Sequence, residues 1–90
     1  MNKLNIIEEL EAIIRQLGIF IRYEKGDFEG GYCILRDKRI LVVNKRLNDS
    51  RKAVILARAL YEIGIDSVFV KPVVREFIED EVAKARKSSV

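Results

Sequence analysis

Apolar residues recur every three or four positions along the first part of the chain, from Lys3 to Leu17. This spacing places them on one stripe of a helix, and most of the charged residues between them fall off that stripe. Gly18 follows directly and suits the C′ position, because glycine readily adopts the positive φ that ends many helices. The stripe that the pattern predicts to be buried consists of Leu4, Ile6, Ile7, Leu10, Ile13, Ile14 and Leu17.

The next part of the chain carries three strand-like segments. Ile19–Tyr23 is rich in β-branched and aromatic residues and predicts a first strand. Lys25–Gly31 contains three glycines and several charges, which is typical of a loop. Tyr32–Leu35 and Arg39–Asn44 are short apolar runs joined by Arg36-Asp37-Lys38, and this arrangement indicates a β-hairpin.

The second run of the hairpin leads into an unusually apolar helix. Ile40–Val43 is apolar at every position, as in a central strand covered on both faces or a strand at an interface. We predict that Asn48 or Asp49 caps the helix, which reaches about Ile63 and ends at Gly64. Apolar residues cover most of its circumference, so we expect it to pack against both a sheet and another helix. Its narrow polar side carries Arg51, Arg58 and Glu62.

The C-terminal part predicts one further helix, which begins near Pro72 because proline suits the first helical turn. Val68–Val70, just before this helix, is a candidate for a fourth short strand. Residues 84–90 are polar, and we expect this tail to fray. The buried stripe of the helix is predicted to comprise Val73, Val74, Phe77, Ile78 and Val82.

These elements define a fold class. The order α-β-β-β-α-(β)-α predicts a single α+β domain over residues 1–90, with a small, mostly antiparallel sheet covered by helices. No internal repeat and no linker divides the 90 residues.

Composition narrows the classes of function. No apolar run approaches the roughly 20 residues of a membrane span, and acids by residue 8 do not fit a secretory signal. The single cysteine, Cys33, cannot form an intrachain disulfide, so we expect a cytoplasmic protein without a membrane partner. Because Cys33 lies in an apolar strand and the chain has no histidine to activate it, we expect it to be buried and unreactive.

Positive charge is concentrated in the middle of the chain. The whole protein carries a net charge of +3, but residues 36–52 alone carry +5 from seven basic residues and two acids. Such a segment can contact phosphates without reading sequence, although no aromatic residues interleave it as stacking platforms. The candidate anion or nucleic-acid contacts are Arg36, Lys38, Arg39, Lys45, Arg46, Arg51 and Lys52.

About half of the chain resembles the ImmA/IrrE family of zinc metallopeptidases in its layout. The matching features are Leu17-Gly18-Ile19 at a strand entry, Gly31-Tyr32 at a loop end, and Ile40–Leu47 at a strand end. The segment Leu56–Glu62, LARALYE, follows in the place of the family's L-A-H-E-L-G-H helix. The resemblance implies a zincin-like core in which this helix faces the active site.

The residues that carry the chemistry of that family are replaced in this chain. Arg58 and Glu62 stand where the family has two zinc-binding histidines, and Ala59 stands where it has the catalytic glutamate. The tight zinc site of that family needs neutral imidazole or thiolate donors, and a protonated arginine is not a ligand. We therefore expect no metal, no cofactor and no peptidase activity, and we predict an ion pair between Arg58 and Glu62 across the former metal position.

The leading functional hypothesis is a non-catalytic interaction module that associates with itself or with another protein. One strand and one helix are apolar nearly all round, and their apolar surface is larger than the few elements of this chain can cover. Small domains often bury such surplus apolar surface by associating. Weak nucleic-acid or anion binding through residues 36–52 is the alternative.

Overall fold

The computed structural model describes residues 3–88 and contains three helices and three strands, which confirms the α+β class. Within these residues no helix is both long and apolar enough to cross a membrane. In chain order the elements are α1 (Lys3–Gln16), β1 (Ile19–Glu24), β2 (Gly30–Leu35), β3 (Lys38–Asn44), α2 (Asp49–Ile63) and α3 (Pro72–Ser88).

The helix ends follow the local sequence chemistry. Asn48 is the N-cap of α2, because its Oδ1 accepts a hydrogen bond of 2.9 Å from the backbone N–H of Arg51. Gly64 ends α2 at a φ of +97° and donates its N–H to the carbonyl of Leu60. Gly18 adopts a φ of +79° just after α1. At both glycines a side chain would be strained, so the predicted helix stops are confirmed.

The sheet has the order β1-β3-β2 and is mixed rather than mostly antiparallel. β2 and β3 form the predicted hairpin, joined by Arg36 and Asp37, whereas β1 runs parallel to β3. The physical reason lies in the two connections. A two-residue turn forces β3 to lie beside β2, while the five-residue loop before β2 is long enough to leave room for β3 in between.

β3 is the central strand of the sheet, which is one of the two alternatives that its continuous apolar run left open. Leu41 and Val43 point to the helices and are almost completely buried, together with Ile19 on β1. α1 contacts β1, and α2 contacts β2 and β3, while α3 packs on α1 and α2. The centre of the core is formed by the largest fully buried side chains, namely Leu10, Ile14, Leu41, Leu56, Leu60 and Ile78.

Two side-chain hydrogen bonds fasten the sheet to the N-terminal part of the chain. The hydroxyl of Tyr23 on β1 donates to the carboxylate of Glu11 on α1. Burial and this hydrogen bond raise the pKa of Tyr23 above its ordinary range, so the hydroxyl remains the donor. The guanidinium of Arg39 on β3 donates to the carbonyl of Leu17 just after α1.

The C-terminal part differs from expectation in two places. Val68–Val70 is irregular and not a fourth strand, because the side chains of Val68 and Val70 pack into the helical core instead of joining the sheet. α3 continues to Ser88, so the described part of the tail at 84–90 is helical. Residues 89–90 lie outside the described part of the chain.

Candidate interaction surface

The outer edge of β2 is the first component of the candidate site. The backbone N–H of Asn44 donates to the carbonyl of Glu29, so residue 29 points toward β3. Antiparallel ladders alternate, so Gly31, Cys33 and Leu35 also direct their backbone groups toward β3. The N–H and C=O groups of Gly30, Tyr32 and Ile34 therefore point away from the sheet. Within residues 3–88 no strand pairs with them.

This edge has none of the usual protection against strand pairing. Natural edge strands are commonly blunted by lysine, proline or an inward-pointing charge. β2 reads GGYCIL, and it contains no charged residue and no proline. All six of its residues are exposed, and Ile34 and Leu35 are 65% and 61% exposed. Such a strand offers both backbone hydrogen-bonding groups and apolar side chains to a partner.

A groove adjoins the outer edge of β2 and separates it from α2. Its volume is about 590 Å³, and its lining includes Gly30 and Tyr32 from β2 and Leu41 from β3. The wall on the helix side follows the spacing of one helix face. That face consists of Ile55, Arg58, Ala59, Glu62 and Ile63. The groove is thus apolar at its base and carries charges along its helical wall.

The structure brings Arg58 and Glu62 into this groove but does not join them. Both side chains are exposed, and the predicted ion pair between them is absent from the salt bridges of the described residues. An exposed pair one helical turn apart gains little from being held in one geometry. The charge of Arg58 instead acts on Glu29, whose pKa it helps to lower.

Glu29 and Arg51 hold the start of β2 against the start of α2. Both oxygens of Glu29 accept from Arg51, at 2.5 Å from Nε and 2.7 Å from Nη2. This fork-like geometry is the favourable form of an arginine–carboxylate contact. The hydrogen bond from Arg51 is the main cause that holds the pKa of Glu29 below its ordinary value. The contact fixes the N-terminal end of the exposed edge beside the groove.

Asn44 fixes the loop that leads into β2. It is a buried polar residue, and its Nδ2 donates to the carbonyls of Gly26 and Phe28 at 2.9 and 2.7 Å. Its Oδ1 accepts from the backbone N–H of Arg46 at 3.0 Å. Because every one of these contacts is local to the ends of β2 and β3, a single amide orders both the loop and the turn after β3.

Cys33 is exposed, and the expectation that it is buried was wrong. It points to the face of the sheet opposite the helices, where Phe28, Gly31, Cys33 and Val42 line an apolar hollow of about 310 Å³. The apolar run around Cys33 predicted a covered strand, but the helices cover only the other face of the sheet. The apolar character of a strand does not show whether the strand lies in the centre or at the edge of its sheet.

The basic segment divides into two groups. Arg36, Lys38 and Arg39 lie at the hairpin end of β3, while Lys45 and Arg46 follow its other end, about 20 Å away at 3.3 Å per residue. The remaining cations have local contacts, because Arg51 pairs with Glu29 and the ammonium of Lys52 lies 5.6 Å from the ring centre of Tyr23. Phosphates would meet two separate basic groups, and anion binding stays a prediction.

No protein-family model, curated protein or solved structure matches this chain. Among residues 3–88, no three or more Cys, Asp or Glu side chains come together as a group that could hold a metal ion.

Sequence reasoning identified Arg58, Glu62 and Arg51 but missed Gly30, Tyr32 and Ile34. The chain does contain a signal for the second set, because GGYCIL is six residues long without a charge or a proline. Its meaning depends on whether β2 or β3 lies at the edge. Strand order is decided by the tertiary structure, so the signal could not be interpreted from the sequence.

Proposed function

We propose that this protein is a non-catalytic interaction module that associates with a second copy of itself by adding a strand to the outer edge of β2. One observation carries the proposal: three residues of a strand without charge or proline direct outward backbone groups that pair with no strand of residues 3–88. Strand addition supplies affinity through main-chain hydrogen bonds and specificity through alternate side chains.

The surroundings of the edge support this function. Tyr32, Ile34 and Leu35 expose apolar surface that a partner strand would remove from water. The groove beside the edge gives the side chains of a partner strand a place to pack. The Glu29–Arg51 pair and the Asn44 contacts hold β2 in place, so little ordering would be needed on association.

The non-catalytic part of the proposal rests on the chemistry of the groove. Arg58 and Ala59 occupy positions at which the resemblance to zinc peptidases implies a metal ligand and a base. Neither residue can perform those roles, because arginine stays protonated and alanine has no ionisable group. We infer that the scaffold is a zincin-like core without the metal chemistry. Elemental analysis that found one zinc per chain would contradict this inference.

Sedimentation velocity over a range of protein concentrations tests the association. We expect a reversible shift from monomer to dimer, and we expect the Ile34→Lys variant to stay monomeric, because charged side chains on an edge oppose strand pairing. Phe69→Lys is the matched control, since it places the same charge at an exposed apolar residue in the connection between α2 and α3. This control should associate like the unmodified chain.

Amide hydrogen exchange locates the contact. The N–H groups of Gly30, Tyr32 and Ile34 should exchange fast at low concentration and become protected as the dimer forms. A chain that stays monomeric up to about 1 mM, where a binding free energy of about −4 kcal/mol would show, would contradict the proposal. Protection elsewhere but not at these three amides would also contradict it.

A further inference from the structure

We infer that the two copies pair antiparallel about a two-fold axis at Tyr32, which makes one continuous six-stranded sheet. The inference rests on the proposed function and adds the register and the symmetry of the contact. A two-fold axis perpendicular to the sheet is the operation that joins two identical edges and keeps both helical layers on one side.

Backbone geometry selects this register. The axis pairs Tyr32 with its own copy and Gly30 with Ile34 of the second copy. All three outward residues of each strand then find partners, and since each contributes one N–H donor, six hydrogen bonds join the chains. A shift by two residues leaves only four such bonds. A shift by one residue places side chains of opposite faces together, so it is excluded.

Side chains fit the same register on the helical face of the sheet. Ile34, which is 65% exposed, comes to lie opposite Gly30 of the second copy. Gly30 packs closely on its own chain, because a Cβ there would stand 2.7 Å from Ile55 Cγ2 and 3.0 Å from the carbonyl of Val42. Ile55 therefore fills the space above Gly30, and the isoleucine of the other chain would lie beside Ile55 at the mouth of the groove, with no side chain of residue 30 in its way.

Charge at the two ends of β2 favours the antiparallel direction. The loop before β2 contains Lys25, Asp27 and Glu29 and has a net charge of −1. The hairpin end after β2 comprises the turn Arg36-Asp37 and the first two residues of β3, Lys38 and Arg39, and these four residues have a net charge of +2. Antiparallel pairing brings the acidic loop of each chain to the basic hairpin end of the other. Parallel pairing would place like charges together at both ends.

The opposite face of the sheet provides a direct test of the register. Cys33 lies opposite residue 31 of the second copy at a position without interstrand hydrogen bonds, where Cα atoms are about 4.5 Å apart, within the range for a disulfide. Gly31 has no atom within 4 Å of an added Cβ, so the Gly31→Cys variant should fold normally. Mild oxidation of this variant should give mostly covalent dimers linked between residues 31 and 33.

Two controls make the result specific. The native chain, with Cys33 alone, and the double variant Gly31→Cys, Cys33→Ser should each give at least tenfold less covalent dimer, because neither has cysteines opposite each other. A dominant Cys33–Cys33 link in the native chain would overturn the register. Absence of the 31–33 link from a Gly31→Cys chain that still dimerises would overturn it and leave the proposed function standing. A monomeric chain that Ile34→Lys does not change would overturn both.

Discussion

β2 and β3 are neighbouring strands of similar apolar character with opposite surroundings. β3, which reads KRILVVN, has a strand on each side, and its Leu41 and Val43 are almost completely buried. β2, which reads GGYCIL, has a strand on one side, and all of its residues are exposed. An apolar strand therefore has side chains that packing can remove from water, but its composition does not show whether the same chain or a partner packs on it.

The difference follows from the position of the strands and not from their side chains. The three helices cover one face of the sheet, and α2 stands back from the outer edge of β2 far enough to leave the groove of about 590 Å³. The residues of β2 that face the helical side, Tyr32 and Ile34, therefore remain 40% and 65% exposed. In the proposed dimer, the second copy supplies the missing cover.

The largest difference between β2 and β3 is expected when one side chain in each strand is truncated. Leu41→Ala should lower the free energy of unfolding by about 3 kcal/mol, because it removes buried methyl groups and leaves a cavity. Ile34→Ala should lower it by less than about 0.5 kcal/mol in dilute solution, where its site is exposed. Urea unfolding at low protein concentration measures both. Equal losses would contradict the contrast in burial.

The same pair of variants also tests the association. Because dimers stabilise the folded state by mass action, the apparent stability of the native chain should rise with concentration. Ile34→Ala should weaken this rise, whereas Leu41→Ala should keep it. An equally steep rise in both variants would place the contact away from β2.

Replacement of Asn44 tests whether this residue of the buried strand β3 holds the loop that leads into the exposed strand β2. Asn44→Ala should cost about 2 kcal/mol, because it leaves the carbonyls of Gly26 and Phe28 without their donor. Amide exchange in the loop before β2 should accelerate along with the loss of stability. Asn48→Ala is the control, and loss of this helix cap should cost about 1 kcal/mol. It should leave exchange in that loop unchanged, and a change equal to that of Asn44→Ala would contradict a specific role.

A smaller change, a gain in stability, is expected at the turn between β2 and β3. Arg36 adopts a φ of +60°, which strains a side chain at a position that favours glycine. Arg36→Gly should raise the free energy of unfolding by about 0.5 kcal/mol, since relief of strain exceeds the added freedom of the unfolded chain. Asp37→Gly is the control and should lower it, because that residue has no such strain. Thermal unfolding distinguishes the two directions.

The smallest expected effect concerns pH. The hydrogen bonds from Arg51 hold the pKa of Glu29 below its ordinary value of about 4.5. The stabilisation is therefore complete above that value and is lost as the pH falls through the lower pKa of the folded protein. Stability of the native chain and of Glu29→Gln should converge in acid. A Glu29→Gln difference that persists in acid would contradict the pairing.

Local chemistry decided much of the fold in advance. The stripe of α1 from Ile6 to Ile14, the Asn48 cap, the Gly18 and Gly64 stops and the β-hairpin depend on residues close in sequence, so their patterns predicted them correctly. Burial of the predicted stripe residue Leu4 lies outside the described part of the chain. The apolar run Ile40–Val43 left two alternatives open, a central strand covered on both faces or a strand at an interface, and the strand order places it in the centre of the sheet.

Only the tertiary structure decided the order and direction of the strands. The parallel pairing of β1 with β3, the edge position of β2, the exposure of Cys33 and the irregular path of Val68–Val70 all depend on contacts between residues distant in sequence. The apolar pattern of the sequence determined which segments form helices and strands and which of their positions carry apolar side chains. Which surface covers them depends on how the whole chain, and by our proposal a second copy, packs together.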